Sequence, residues 1–264
     1  MTVRLDRALV ERGLAPSRSR AALLVAEGLV RVDGSPARKA ATPVGPETAL
    51  DVEGQPGYVS RAALKLLAAL DAFDIRPAGR LALDVGASTG GFTQVLLERG
   101  ASRVIALDVG HGQLAAELRD DPRVTVVEGF NARELSPAAL ATASGVTAAP
   151  ALAVADVSFI RLGLVLPGIR AVVAPEADIV ALVKPQFEVG RGGVRAGIVR
   201  EPSLRAAAVR AVLEDAWALG LGTAGIRSSP IAGGHGNREA LVHLSARVGT
   251  HPTEWEARIA EATA

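Results

Sequence analysis

Lys65 and Lys184 are the residues from which chemistry is expected, because the chain hardly uses lysine. It has three (the third is Lys39) against 26 arginines in 264 residues. Arginine cannot give up its proton in a protein, whereas a partly buried lysine shifts its pKa readily and can act as a base. Lysine kept where arginine is otherwise written points to proton transfer. Lys65 ends Tyr-Val-Ser-Arg-Ala-Ala-Leu-Lys (58–65), and Lys184 closes the apolar run Ile179–Val183 ahead of Pro-Gln-Phe-Glu.

A second constellation would hold a ligand beside such a base. Leu-Asp-Val-Gly-Ala-Ser-Thr-Gly-Gly-Phe-Thr (83–93) follows an expected strand and opens an expected helix. Its glycines let the main chain turn tightly and let a ligand lie on bare backbone. Gly86, Ala87, Ser88, Thr89, Gly90, Gly91 and Phe92 therefore form the expected cofactor loop. The spacing is not the G-x-G-x-x-G of a dinucleotide site, and no lysine follows as a P-loop requires. A cationic cofactor fits better, with Asp84 near the amine of a methionine moiety. Asp108 ends the next strand, where an acid can hold both ribose hydroxyls of a nucleoside. Either Asp alone could be a plain strand-end cap. Phe130 and Asn131, after the third strand, are candidate contacts on the adenine side.

These residues need a frame. Beyond residue 60 strands and helices alternate. Strands are expected at 81–85, 104–107, 124–127, 151–155 and 179–183, and helices at 61–73, 92–99, 113–119, 162–173 and 203–219. Segments 222–228 and 240–246 close the series as a strand pair, and 253–264 reads as a short helix. Continuous apolar strands between helices imply an α/β fold with a mostly parallel sheet covered on both faces. Such sheets bind ligands at the carboxyl ends of their strands, where Asp84, Asp108, Asp156 and Lys184 fall.

The first 40 residues differ. They hold eight basic and four acidic side chains. A helix from Leu5, a second through Arg20–Glu27 capped by Ser17 or Ser19, a strand at Val30–Val32 and another at Ala49–Val52 make a small α+β module. Turn formers at 53–57 read as a linker. The expected division is residues 1–57 and 58–264. Net charge is +1, so nucleic-acid binding must come from local patches. There is no cysteine, which excludes disulfides and thiolate metal sites and fits a cytoplasmic protein. No metal ion is called for. The N-terminus has no apolar signal core, and Pro137–Ala155 is too weakly apolar to span a membrane.

The glycine loop resembles motif I of S-adenosylmethionine-dependent methyltransferases. Its wording is similar to that of the TlyA / hemolysin A family of ribosomal RNA 2′-O-methyltransferases. Further matches are Tyr-Val-Ser-Arg (58–61), Asp-Val-Gly-His-Gly-Gln-Leu (108–114), Asp-Val-Ser-Phe-Ile (156–160), Val-Lys-Pro-Gln-Phe-Glu (183–188) and Gly-Gly-His-Gly-Asn-Arg-Glu (233–239). The N-terminal module resembles the S4 RNA-binding domain that this family carries in front. One departure is Ala62-Ala63, where the family usually has Gly-Gly, which bears on how closely backbone can approach that helix start.

The resemblance implies a Rossmann-like class I methyltransferase of the FtsJ-like kind, with a seven-stranded sheet and S-adenosyl-L-methionine as cofactor. It implies ribosomal RNA or ribosomal subunits as partner and a cytidine 2′-hydroxyl of 16S or 23S rRNA as target. It also implies a catalytic tetrad of Lys65, Asp156, Lys184 and Glu239. A ribose hydroxyl needs a base within about 3 Å, and a free lysine with pKa ~10.4 is protonated at neutral pH. A nearby cation and partial burial lower that value, so Lys184 is the expected base and Lys65 its partner. Taken singly, Asp156 could be a helix cap, Glu239 an exposed strand acid and Lys184 a solvated cation.

RNA would need its own surface. Arg4, Arg18 and Arg20 in the arm, Arg61, and Arg191 and Arg195 in the glycine-rich loop 188–200 are the candidates, the loop reading as a flexible phosphate clamp. Phe159 and Phe187 could stack a flipped-out base or pack into the core, and His235 reads as a turn residue. Three alternatives are a base methyltransferase of the same fold, a membrane-lytic hemolysin and an inactive ribosome-binding factor. Base methyltransferases usually carry Asn/Asp-Pro-Pro-Tyr/Phe where this chain has Asp-Val-Ser-Phe.

Overall fold

The computed structural model describes residues 2–12, 14–15, 18–26, 28–52, 58–233 and 236–264, with Ser19, Arg20 and Arg191 described by backbone alone. The expected caps at Ser17 and Ser19, the linker 53–57, the side chains of Arg20 and Arg191, and His235 lie outside the described residues. The chain forms two compact units, Met1–Val59 and Ser60–Ala264.

In the first unit, β1 (Val3–Arg4) leads into α1 (Leu5–Glu11), followed by α2 (Arg18–Ala26). Then come β2 (Val30–Val32), β3 (Ser35–Pro36), β4 (Pro43–Val44) and β5 (Leu50–Val52). β2 is flanked by β3 and β5, and β1 pairs with β4, all antiparallel. Leu5, Leu9, Ala21, Leu24, Val25 and Val30 interlock as its core. The helix spacing of Leu5, Ala8 and Leu9 is what turns α1 inward. The two-residue strands β1, β3 and β4 go beyond the sequence reading, being too short to show alternation.

The second unit opens with α3 (Ala62–Ala72), a run of strong helix formers whose Ala63, Leu66, Ala69 and Leu70 are buried. It continues with β6 (Leu81–Val85), α4 (Gly91–Glu98), β7 (Arg103–Leu107), α5 (Ala116–Arg119), β8 (Val124–Val127), α6 (Pro137–Ser144) and β9 (Leu152–Ala155). After these come α7 (Leu166–Val172), β10 (Asp178–Val183), α8 (Pro185–Glu188), α9 (Pro202–Ala218), β11 (Gly222–Ser228), β12 (Ala240–Ser245) and α10 (Glu256–Thr263). The seven strands lie in the order β11-β12-β10-β9-β6-β7-β8. β6 to β10 run parallel, and β12 runs antiparallel between β10 and β11. Every residue of β9, β10 and β12 is buried, as expected of strands covered on both faces.

Three local readings change. α6 lies in a stretch not expected to be helical; its Ala, Thr and Ser residues carry no apolar stripe, but Ser136 accepts from Ala139 N–H and caps it. The expected helix 162–173 divides into a 3-10 turn, Leu162–Leu164, and α7, which Pro167 starts afresh at its first turn. The helix expected at 113–119 keeps only Ala116–Arg119.

Candidate active site

The sheet's topology gathers the four tetrad residues. Asp156 follows the last residue of β9, and Lys184 follows the last of β10. β12 runs the other way, so its first residue, Ala240, pairs with Val183. Glu239, one residue earlier, thus sits at the same edge beside Lys184. α3 supplies the fourth member: Lys65 Nζ donates to Glu239 Oε2 at 2.5 Å, both side chains nearly fully buried. Lys184 Nζ lies 2.6 Å from Asp156 Oδ1, side chains 11% and 14% exposed. That contact is a close ion pair without hydrogen-bond alignment. The aligned bond of Lys184 goes to Ser158 Oγ, at 2.8 Å. The solvated readings of Lys184 and Glu239 do not survive this burial.

Backbone approaches shape the same edge. Gly86 has φ +85°, and a Cβ there would lie 2.7 Å from the Asp156 carbonyl oxygen, so only glycine lets β6 end against β9. A Cβ at Gly233 would run into the Glu239 carboxylate. Where the family has Gly-Gly, Ala63 N would sit 3.1 Å from a Cβ on Gly91. Gly91 thus keeps the tight approach between the start of α3 and that of α4.

Asp156 also lines a cleft of about 890 Å³, whereas Lys65, Lys184 and Glu239 are not among its lining residues. Gly86, Ser88, Asp108, Phe130, Asn131, Asp156, Ser158, Phe159 and Phe187 are among the residues that line it. Asp108 accepts from Ser88 N–H at 2.8 Å and from Gly110 N–H at 2.7 Å, one bond per oxygen. Each oxygen keeps a lone pair for a ligand hydroxyl. Asn131 caps the turn 132–134 by accepting from Arg133 N–H. Ala87, Thr89, Gly90, Gly91 and Phe92 are not among the lining residues; the first three belong to the turn, and Gly91 and Phe92 begin α4.

Asp84 does not line the cleft either. It has no exposed surface, Oδ2 accepts from Thr93 Oγ1 at 2.6 Å, and Oδ1 is buried without a partner among the described residues. A direct contact between Asp84 and a ligand amine is therefore not available in this arrangement. Burial pushes its carboxyl up to about 7, the Thr93 bond opposing and the Asp156 charge adding to the rise.

Several contacts have no sequence signal at short range. Glu188 accepts from Leu162 N–H at 2.8 Å, joining α8 to the loop that carries Asp156 and Ser158. Burial raises its carboxyl above the usual range despite that bond and the Arg161 guanidinium. Asn237 donates to Gly197 O at 2.7 Å and accepts from Val199 N–H at 3.1 Å. Arg195 and Ile198 exchange two backbone bonds of 3.0 Å around Ala196 and Gly197, both with positive φ. The loop expected to be flexible is, at Arg195–Val199, a hydrogen-bonded turn pinned by Asn237. Phe159 is 92% exposed at φ +63°, its ring 5.1 Å from that of Phe187, so it does not belong to the core.

In the first unit, Arg4 and Arg18 both reach Asp6, at 2.9 and 3.2 Å. The Arg4 hydrogen bond, ahead of the opposing burial, holds the Asp6 carboxyl down at about 2. These arginines are cations fixed in place by a shared acid. Arg61 ends the turn before α3 and is partly buried. Among the described residues no helix is long and apolar enough to cross a membrane, and no cluster of acids and histidines could hold a metal.

The chain is similar to known proteins over most of its length. Residues 58–246 match the FtsJ-like methyltransferase family, and residues 3–50 the S4 domain. A Mycobacterium tuberculosis protein, 16S/23S rRNA (cytidine-2′-O)-methyltransferase TlyA, is 52% identical over 91% of this chain and 89% of its own. Hemolysin A of Brachyspira hyodysenteriae is 37% identical over 92% of this chain and 99% of its own. A solved Streptococcus thermophilus protein carrying a hemolysin name superposes with a TM-score of 0.76, at 38% identity over 99% of this chain and 96% of its own. With an S4 match N-terminal to an FtsJ-like match, the chain belongs to the TlyA / hemolysin A family of rRNA 2′-O-methyltransferases.

Proposed function

We propose that the chain methylates a ribose 2′-hydroxyl of ribosomal RNA, at a cytidine of the small or large subunit, with Lys184 as general base. The observation that carries this reading is the pairing of two lysines with two acids at the strand ends beside the cleft. Lys65 is matched to Glu239 and Lys184 to Asp156. An arginine in place of Lys184 would keep the charge and lose the chemistry.

S-adenosyl-L-methionine fits the cleft residues. The Asp108 carboxylate offers two free lone pairs for ribose hydroxyls, Asn131 and Phe130 on the cleft wall would meet the adenine, and Asp84 Oδ1, buried beneath the glycine turn, has no partner among the described residues. The cofactor would supply a methyl group on a sulfonium sulfur, which departs with the carbon–sulfur electron pair. Lys184 Nζ takes the hydroxyl proton as the oxygen attacks. Asp156 and Glu239 orient the amines and keep the cluster's net charge near zero, and Lys65 holds the hydroxyl or tunes its partner. The S4 unit, residues 1–57 with its linker, docks rRNA through Arg4, Arg18 and Arg20. Arg61, Arg191 and Arg195 meet backbone phosphates beside residues 58–264. Such a substrate places the protein in the cytoplasm.

The test is Lys184→Ala and Lys184→Arg on ribosomal subunits lacking the modification, with methylation located by alkaline hydrolysis, which 2′-O-methylation alone blocks. Both variants should lose methylation by at least about a hundredfold while binding S-adenosylmethionine normally. Retained methylation, or loss of cofactor binding instead, would remove Lys184 from the base role.

A further inference from the structure

Ser158 is exposed on the cleft wall, and its hydroxyl accepts the one aligned hydrogen bond that Lys184 makes among the described residues, at 2.8 Å. Asp156 is nearer to the amine, at 2.6 Å, but not in hydrogen-bond alignment. Charge attraction has no angular preference, so Asp156 holds the amine close without setting its rotation about the Cε–Nζ bond. The form of lysine that accepts a proton is neutral. In that form the Coulomb attraction to Asp156 fades, while an N–H···O bond to a hydroxyl persists.

We propose that Ser158 is a positioning residue that aims the lone pair of neutral Lys184 into the cleft. The proposal rests on the reading of Lys184 as base. A neutral amine has two N–H bonds and one lone pair. With one N–H directed to Ser158, rotation of the amine is restricted and the lone pair is confined to the remaining directions. Without Ser158 the lone pair samples all of them.

The loop that carries Ser158 is built for this task. The next residue, Phe159, has φ +63°, a left-handed conformation that strains a non-glycine residue. Three residues further on, Leu162 N–H is held by Glu188 Oε1 at 2.8 Å. Glu188 ends α8, the single turn that Lys184 itself begins. One clamp thus fixes the hydroxyl and the amine relative to each other. The Ser158 side chain makes no other hydrogen bond among the described residues, and being exposed it leaves no cavity when removed.

The experiment compares Ser158→Ala, Ser158→Thr and Lys184→Ala with wild type, using purified unmodified ribosomal subunits under single-turnover conditions and calorimetric titration of S-adenosylmethionine. Ser158→Ala should slow methylation at saturation about tenfold, leaving KM for subunits and cofactor affinity within twofold. Ser158→Thr, which keeps a hydroxyl, should regain most of the rate. An alanine variant at full rate, a loss confined to KM or cofactor binding, or a threonine variant no better than alanine would each overturn the proposal. If Lys184→Ala is inactive and Ser158→Ala is not impaired, only the role of Ser158 falls. If Lys184→Ala stays active, the base reading falls with it.

Discussion

The substitution Asp84→Asn should stabilise the protein increasingly as pH rises from about 4 to 7 and have little effect below that range. Asp84 is fully buried, with a carboxyl pushed from 3.8 to about 7. An acid whose folded pKa lies above its unfolded one holds its proton more tightly when folded. It costs nothing below pH ~4, and its penalty grows as pH rises toward 7. At 1.36 kcal/mol per unit, the folded protein gives up ~2–3 kcal/mol through this group between pH 5 and pH 8. The amide introduced by Asp84→Asn would still accept the Thr93 bond and carries no charge, so the variant's stability should not show that loss. Urea unfolding of both proteins at pH 5, 6.5 and 8 measures the difference. The variant's advantage should rise by ~2–3 kcal/mol across the series, which for a domain of this size is a Tm gain of about 5–10 °C. Parallel pH curves for the two proteins would refute the burial argument. They would mean that Asp84 is ionised at little cost, through water or a partner reaching its second oxygen.

Two further outcomes follow from other sites. Gly233→Ala should displace the Glu239 carboxylate, breaking its bond to Lys65; the rate should fall and stability should drop by up to about 3 kcal/mol, and wild-type kinetics would show that Glu239 has room to move. Neutralising Arg4 and Arg18 together should weaken rRNA binding and reduce the slope of log affinity against log salt by up to about 2, because both side chains stay more than half exposed while sharing Asp6. An unchanged slope would take this pair out of the RNA interface.

What could be read along the chain was whatever repeats at short range. Leu81–Val85, Val124–Val127 and Ile179–Val183 are mostly apolar runs bounded by turns, so their strands stood out, as did the helices around Leu66 and Val209, whose buried positions recur at helical spacing. The glycine loop and the scarcity of lysine were equally visible. α6 was not, because its stability comes from a cap and from neighbours rather than from a stripe of its own. Asp84 kept its place at a strand end, but not its exposure. Depth below a surface is set by Thr93 and by the turn packed over it, not by sequence position.

The chain alone determined which residue types are available for proton transfer and which segments must be strands. Only the tertiary structure decided who meets whom. Lys65 and Glu239 are 174 residues apart, and they touch because β12 enters the sheet antiparallel and starts where β10 ends. Ser158 and Lys184 are 26 apart and meet through adjacent parallel strands; Asn237 crosses 40 residues to reach Gly197. Strand order and register set these encounters, and both result from burying every strand face at once, a global condition that no local window of sequence contains.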